Sequence, residues 1–172
     1  MAVSAAGAGA RARESNQTLN KRDAYTECYQ AIVAIWSDEG GDTLDDIALM
    51  ATINSILSHR FPFYFWTGFY RVCGDRLAIG PYIGTVGCLQ IEFGRGVCGT
   101  AAARRETIVV PDVSQFPGHI ACDPNSKSEI VVPVFDRDGT LIAVFDVDAD
   151  RLDAFDEEDR AGLERIMTLF AK

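Results

Sequence analysis

Phe63-Tyr-Phe-Trp66-Thr-Gly68-Phe-Tyr70-Arg-Val72, followed at once by Cys73-Gly-Asp75 and then Arg76 to Tyr82, is the stretch that decides the fold. The aromatic run predicts a strand, the glycine-bearing triplet a tight turn, and Arg76–Tyr82 a second strand running back on the first. A hairpin makes the two strands antiparallel. Working outward, residues 86–93, Thr107–Val110, Ile130–Phe135 and Leu141–Val147 predict further strands, the last two joined by a hairpin turn at Asp136-Arg-Asp-Gly139. Residues 97–104 predict a short helix opened by Gly94-Arg-Gly96. Tyr25, Cys28, Tyr29, Ile32 and Trp36 fall at helical spacing, so a helix is expected over 20–36 with Cys28 as a small core hydrophobe. After Gly40-Gly41, Thr43 with Asp46 resembles a capping box for a second helix carrying Leu44, Ile47, Ala48 and Ala51 and ending near His59. Asp156 is expected to cap a last helix with Leu163, Ile166, Met167 and Phe170 on its apolar face. The pattern is that of an α+β fold, an antiparallel sheet with helices against it.

The chain has 172 residues, 48% of them hydrophobic, enough for a single sizeable core. Its formal net charge is −9 and its basic residues form no run, which argues against a nucleic-acid partner. No apolar run is long enough to span a membrane. Five cysteines, an odd number without framework spacing, suit a reducing compartment, and a cytoplasmic location is expected. Residues 1–18 are expected to form a flexible tail and 19–172 a single domain. The first thirteen, with two arginines and no acid, have the composition of a transit peptide, but they show no clear amphipathic pattern or apolar core, so a disordered tail is the expectation.

Chemistry concentrates in the second half of the chain. Residues 111–128 run without periodicity and hold three prolines, and a segment of that length inside a compact domain is usually a functional lid. Strand alternation places Tyr64, Trp66, Gly68 and Tyr70 on one face, where the glycine would leave a notch with aromatic walls. In the last strand Ile142, Val144, Asp146 and Asp148 share one face, and Leu141, Ala143, Phe145 and Val147 the other. Two apolar faces mark a central strand, so Asp146 and Asp148 need a partner. Glu129 is placed to join them. Three carboxyl groups facing an aromatic notch would suit an ammonium group and would keep one acid protonated; alternatively they merely end strands at the surface.

Cys88, Cys98 and Cys122 sit in glycine-studded turns or loops rather than in a core pattern, which gives a thiol an approach path. Cys98, near a helix start, is expected to have a lowered pKa. Cys122 lies in the lid, three residues after His119 and beside Asp123. Spacing leaves open which thiol attacks and which resolves. Cys73, in the hairpin turn, is an incidental exposed thiol. Cys98 and Arg104 match the C-x5-R spacing of cysteine phosphatases without the glycine-rich phosphate cradle. His119 with Cys88, Cys98 and Cys122 could form a zinc site, but the spacing between Cys88 and Cys98 is wrong for a zinc knuckle.

Several stretches together resemble the free methionine-(R)-sulfoxide reductases, a branch of the GAF-domain fold: Trp66-Thr-Gly-Phe-Tyr70, Gly80-Pro81, Gly94-Arg-Gly-Val-Cys-Gly99, Val110-Pro-Asp-Val113, Phe116-Pro-Gly-His-Ile-Ala-Cys-Asp123, Ser128-Glu-Ile-Val131 and Phe145-Asp-Val-Asp148. The resemblance covers residues from about 60 to 170. It implies a sheet of about six antiparallel strands between helices, usually in a homodimer. It also implies reduction of free L-methionine (R)-sulfoxide, with thioredoxin or a similar dithiol as electron donor and no cofactor or metal. By matching motif, Cys122 would be the attacking thiolate, Cys88 the resolving thiol and Cys98 a supporting one. Trp66 and Tyr70 would wall the methyl pocket, and Glu129, Asp146 and Asp148 would hold the ammonium and the sulfoxide oxygen. Ile83 and Ala149 depart from the family by being apolar. The alternative is a GAF module that senses a small ligand or redox state without turnover.

Overall fold

A computed structural model describes residues 20–120 and 122–171. The expected tail and any targeting segment at residues 1–18 lie outside the described residues. In chain order the elements are α1 (Lys21–Asp38), α2 (Asp46–Arg60), β1 (Trp66–Cys73), β2 (Arg76–Ile83), β3 (Gln90–Glu92), α3 (Gly96–Arg104), β4 (Ile108–Val110), β5 (Ser128–Phe135), β6 (Leu141–Ala149) and α4 (Glu157–Met167). The strands form one antiparallel sheet in the order β3-β2-β1-β6-β5-β4. The hairpins at Gly74-Asp75 and Asp136–Gly139 thus join neighbours, and the fold is the expected α+β one.

Three local expectations are corrected. The first strand begins at Trp66, not Phe63, because Phe61-Pro62-Phe63 turns the chain out of α2 and the Tyr64 N–H is held by the Phe61 carbonyl. Tyr64 therefore packs into the helix-side core instead of sharing a face with Trp66, and Phe63 and Phe65 are only half-buried. The cap of α2 is Asp45, whose carboxylate accepts from the Ala48 N–H, while the Thr43 hydroxyl donates to the Gly40 carbonyl. In β6, Leu141 and Ile142 point opposite to simple alternation. Val134 pairs with Ala143 but Phe135 with Leu141, a bulge that inserts Ile142 and flips the faces before it.

The sheet separates two cores. On one side α1, α2 and α4 cover Phe69 of β1, Ile130, Val132 and Val134 of β5, and Ala143, Phe145 and Val147 of β6. On the other, α3 and the loops cover Trp66, Tyr70, Leu77, Val131 and Val144. Strands β1 and β6 are central and buried on both faces, as the two-sided apolar pattern of β6 requires. The helix layer is tied by a buried polar group: Asp159 of α4 accepts from the Tyr25 hydroxyl at 2.8 Å, pairs with Lys21, and closes the α4 capping box on the Asp156 N–H. Because Asp159 is fully buried, truncation takes an acceptor from the Tyr25 hydroxyl and the Asp156 N–H and one of the two carboxylates that hold Lys21. Asp159→Ala is expected to cost about 3 kcal/mol, read as a lower urea midpoint at unchanged slope.

Candidate active site

Cross-strand register builds the site. Asp148 of β6 is paired with Trp66 of β1 on one side and Glu129 of β5 on the other. One step along the same face, Asp146 is paired with Gly68 and Val131. Since alternate residues share a face, two turns of the pleat put an indole and three carboxyl groups side by side at one end of an otherwise apolar surface. The notch expected at Gly68 is occupied: a Cβ there would overlap the Trp66 indole, which lies across the glycine and stacks between Tyr70 and Tyr82 at centroid distances of 5.9 and 5.3 Å. Trp66 and Tyr70 still wall a cleft, one that lies beside the notch.

The first turn of α3 closes the cleft from above. Cys98 is buried with its thiol 3.9 Å from Glu129 Oε1, and the Cys98, Glu129 and Asp146 donor atoms lie within 4.8 Å of one another. Loop 111–127 supplies the outer wall through His119, Ile120, Cys122, Asp123 and Ser126, and loop 84–89 adds Thr85, Val86 and Gly87. With the disulfide closed, the cavity at the centre of the cleft is small, about 40 Å³, and it opens outward to solvent. At its mouth Cys88 and Cys122, 34 residues apart in sequence, are joined by a disulfide with Cα atoms 5.3 Å apart.

Burial dominates the electrostatics. Glu129 is held well above the usual carboxylate range by burial and then by the charges of Asp146 and Asp148. Asp146 is raised likewise, by burial and then by Asp148, and its Oδ1 has no hydrogen-bond partner among the described residues. Asp148, half-buried at the mouth, is pushed up to about 6 by burial, offset in part by the Ser126 hydroxyl donating to Oδ1. The cluster therefore ionises in order: Asp148 gives up its proton first, and Glu129 and Asp146, raised further by burial and by its charge, hold theirs longer.

Cys98 overturns an expectation. It does sit in the first turn of α3, but burial and then the neighbouring Asp146 and Glu129 raise its pKa well above that of a free thiol. Desolvation beside acids outweighs a helix dipole that acts over one turn. His119 is 3.9 Å from Glu129, and burial lowers its pKa, so it faces the cluster as a neutral ring.

The other sequence candidates fall away from the cleft. Cys28 is buried in the helix-side core with its pKa pushed up to about 11, and Cys73 is exposed at its hairpin. Arg104 is exposed at the far end of α3, paired with Glu106 and not facing Cys98. The disulfide removes Cys88 and Cys122 from the four-donor zinc set. A cation held by Cys98, Glu129 and Asp146 would have to displace a proton from each. Ile83 is exposed at the end of β2 and Ala149 is buried opposite Ser128. Sequence reasoning missed Thr85, Arg95 and Ser126, all of which line the cleft. Arg95 stood inside a quoted motif; Thr85 and Ser126 lie in loops where no periodicity marks them.

The comparisons with known proteins agree in kind. The GAF domain family model matches residues 33–172. GAF domain-containing protein A of Dictyostelium discoideum is 42% identical over 87% of this chain and 92% of its own length. The free methionine-R-sulfoxide reductase of Escherichia coli is 36% identical over 90% of each chain. The structure of the free methionine-R-sulfoxide reductase of Neisseria meningitidis in complex with its substrate superposes with a TM-score of 0.82 at 39% identity, covering 90% of each chain.

In the fold Asp148 keeps a proton up to about pH 6 that the unfolded chain releases near 3.8. Its stabilising contribution is complete below about pH 3.8 and is lost as pH rises through about 6. Asp148→Asn cannot ionise, so its melting temperature minus the parent's is expected to rise between about pH 4 and about pH 7 in thermal scans. A difference that stays flat or falls would contradict the assignment.

Proposed function

We propose that this chain, which belongs to the free methionine-R-sulfoxide reductase family of GAF domains, reduces free L-methionine (R)-sulfoxide to methionine at the cleft of Cys122 and the buried acids. As a member of that family it is an oxidoreductase. What carries the reading of its mechanism is one juxtaposition: Cys122, bonded to Cys88, lines the same cleft as carboxylic acids whose pKa burial raises well above the usual range.

A sulfoxide sulfur becomes electrophilic when its oxygen is protonated or strongly hydrogen-bonded. Glu129 and Asp146 are acids whose hold on their protons burial strengthens well beyond the usual carboxylate, so they are suited to donate to that oxygen. Asp148, the first to ionise, meets the substrate ammonium, and Trp66 and Tyr70 bound the methyl group. Arg95 and the start of α3 at Gly96-Val97 line the same cleft and offer a cation and N–H groups to the α-carboxylate. Neither charge exists on a methionine sulfoxide inside a peptide, which accounts for a preference for the free amino acid.

The Cys122 thiolate attacks sulfur, the oxygen passes to Cys122 as a sulfenic acid, and methionine leaves with two electrons gained. The Cys88 thiol condenses with the sulfenic acid, releasing water and forming the disulfide. Thioredoxin or a similar dithiol protein then exchanges with that bond, restoring both thiols and taking the disulfide itself. Cys98, buried and protonated, supports the acid cluster rather than attacking. A disulfide that must be reopened every turnover fits a cytoplasmic location, and the active form is proposed to be a homodimer. No helix among the described residues is long and apolar enough to cross a membrane.

The test is NADPH consumption with thioredoxin, its reductase and the separated epimers of free methionine sulfoxide. Only the (R) epimer is expected to be consumed, and Cys122→Ser is expected to lose about 10³-fold or more in kcat/KM. Near-normal turnover by that variant would reject the assignment. Cys88→Ser is expected to release about one methionine per chain and then stop with thioredoxin as the reductant. In the parent, kcat/KM is expected to fall as pH drops through about 6, where Asp148 gains its proton and no longer holds the ammonium.

A further inference from the structure

The two loops that carry Cys88 and Cys122 are also tied by a hydrogen bond that does not involve sulfur. Thr85 Oγ1 donates to Asp123 Oδ2, bridging the segment three residues before Cys88 to the residue directly after Cys122. Both ends of this bridge are anchored. The Thr85 carbonyl accepts from the Trp66 indole N–H at 2.9 Å, and Asp123 Oδ1 accepts from the Asn125 N–H at 2.7 Å. Gly84, at φ +140°, and Gly87 let the backbone lie directly on the Trp66 and Tyr70 rings, where a Cβ at Gly84 would overlap the indole. The Asp123 carboxyl sits below the usual carboxylate range, first because of the Thr85 hydroxyl, so it remains an acceptor at any working pH.

Trp66, Thr85 and Asp123 thus form one chain of contacts from the aromatic wall, through the Cys88 loop, to the Cys122 loop. Resting on the reductase reading above, we propose that Thr85 is a positioning residue for the resolving step: its hydroxyl holds the Cys88 loop against the Cys122 loop when no disulfide does so. The step it serves is Cys122–SOH plus Cys88–SH giving the Cys88–Cys122 disulfide and water. Attack on the sulfoxide uses Cys122, with the substrate held by the acids, the aromatic wall and Arg95, while the Thr85 hydroxyl is turned to Asp123, so the bridge acts on closure after methionine has left. Holding the two thiol loops together raises the effective concentration of one sulfur at the other, and a hydrogen bond to a charged acceptor is strong enough to change that by about tenfold.

Thr85→Val keeps the side-chain shape and the carbonyl that receives Trp66 but removes the donor. Reduced protein is mixed with one equivalent of free methionine (R)-sulfoxide and quenched at intervals, measuring methionine, free thiols and dimedone-trapped sulfenic acid on Cys122. In the variant, disulfide closure is expected to slow about tenfold relative to formation of the first methionine, and trapped sulfenic acid to accumulate. Thr85→Ser, which restores the hydroxyl, is expected to return closure to within about twofold of the parent. Closure at the parent's rate in Thr85→Val, or equal slowing in Thr85→Ser, overturns the proposal. A second arm replaces the sulfoxide by hydrogen peroxide, which oxidises the Cys122 thiol to the same sulfenic acid and leaves water. If the parent yields no methionine, the reductase reading fails. The positioning role is then decided by this arm alone, where slower closure in Thr85→Val supports it and unchanged closure overturns it.

Discussion

The register of three neighbouring strands is the constraint on which the site rests. Because β6 lies between β1 and β5, Asp148 has Trp66 on one flank and Glu129 on the other, and Asp146 follows one pleat along. A slip of one residue in β6 would send both aspartates into the helix-side core and bring Phe145 and Val147 out to the cleft. The apolar half of β6 prevents that slip: Ala143, Phe145 and Val147 are fully buried against the helices, and their burial fixes where the acids must point. The core that stabilises the sheet and the geometry of the site are therefore one arrangement.

Burial then assigns the chemistry. The desolvation that keeps protons on Glu129 and Asp146 also keeps one on Cys98, whose thiol lies among them. A single low-dielectric patch cannot hold ready acids and a ready thiolate together. The fold separates the two tasks by depth. The acids and Cys98 lie beneath α3, whereas Cys122 and Cys88 are half-buried on loops nearer the surface, where the proposed mechanism needs thiols that substrate and a dithiol can reach. The aromatic wall links the levels, since Trp66 packs over Gly68 beside the acids and donates to the Thr85 carbonyl in the Cys88 loop.

Much of this was legible in the chain. Hairpin turns at Gly74-Asp75 and Asp136–Gly139, helical stripes in α1 and α4, and the two-sided apolar pattern of β6 are short-range signals that survive folding. Errors came where tertiary demands overrode local pattern. The Phe61-Pro62-Phe63 turn drew Tyr64 out of the strand its composition suggested, and one inserted residue at Ile142 inverted the start of β6. Cys98 shows the same lesson in electrostatics: its helix start was visible, but the acids packed around it belong to β5 and β6, more than thirty residues away.

By itself, the amino-acid order determined the antiparallel sheet, the acidic ends of the Asp146–Asp148 strand, and the thiols set among glycines. These follow from steric and hydrophobic preferences that act within a few residues. Only the tertiary structure decided that the indole of Trp66 fills the space at Gly68, that Cys98 stays protonated, and that Cys88 meets Cys122 beside a Thr85–Asp123 bridge. Desolvation and loop-to-loop contact depend on which distant segments are brought together, and nothing in local spacing encodes that.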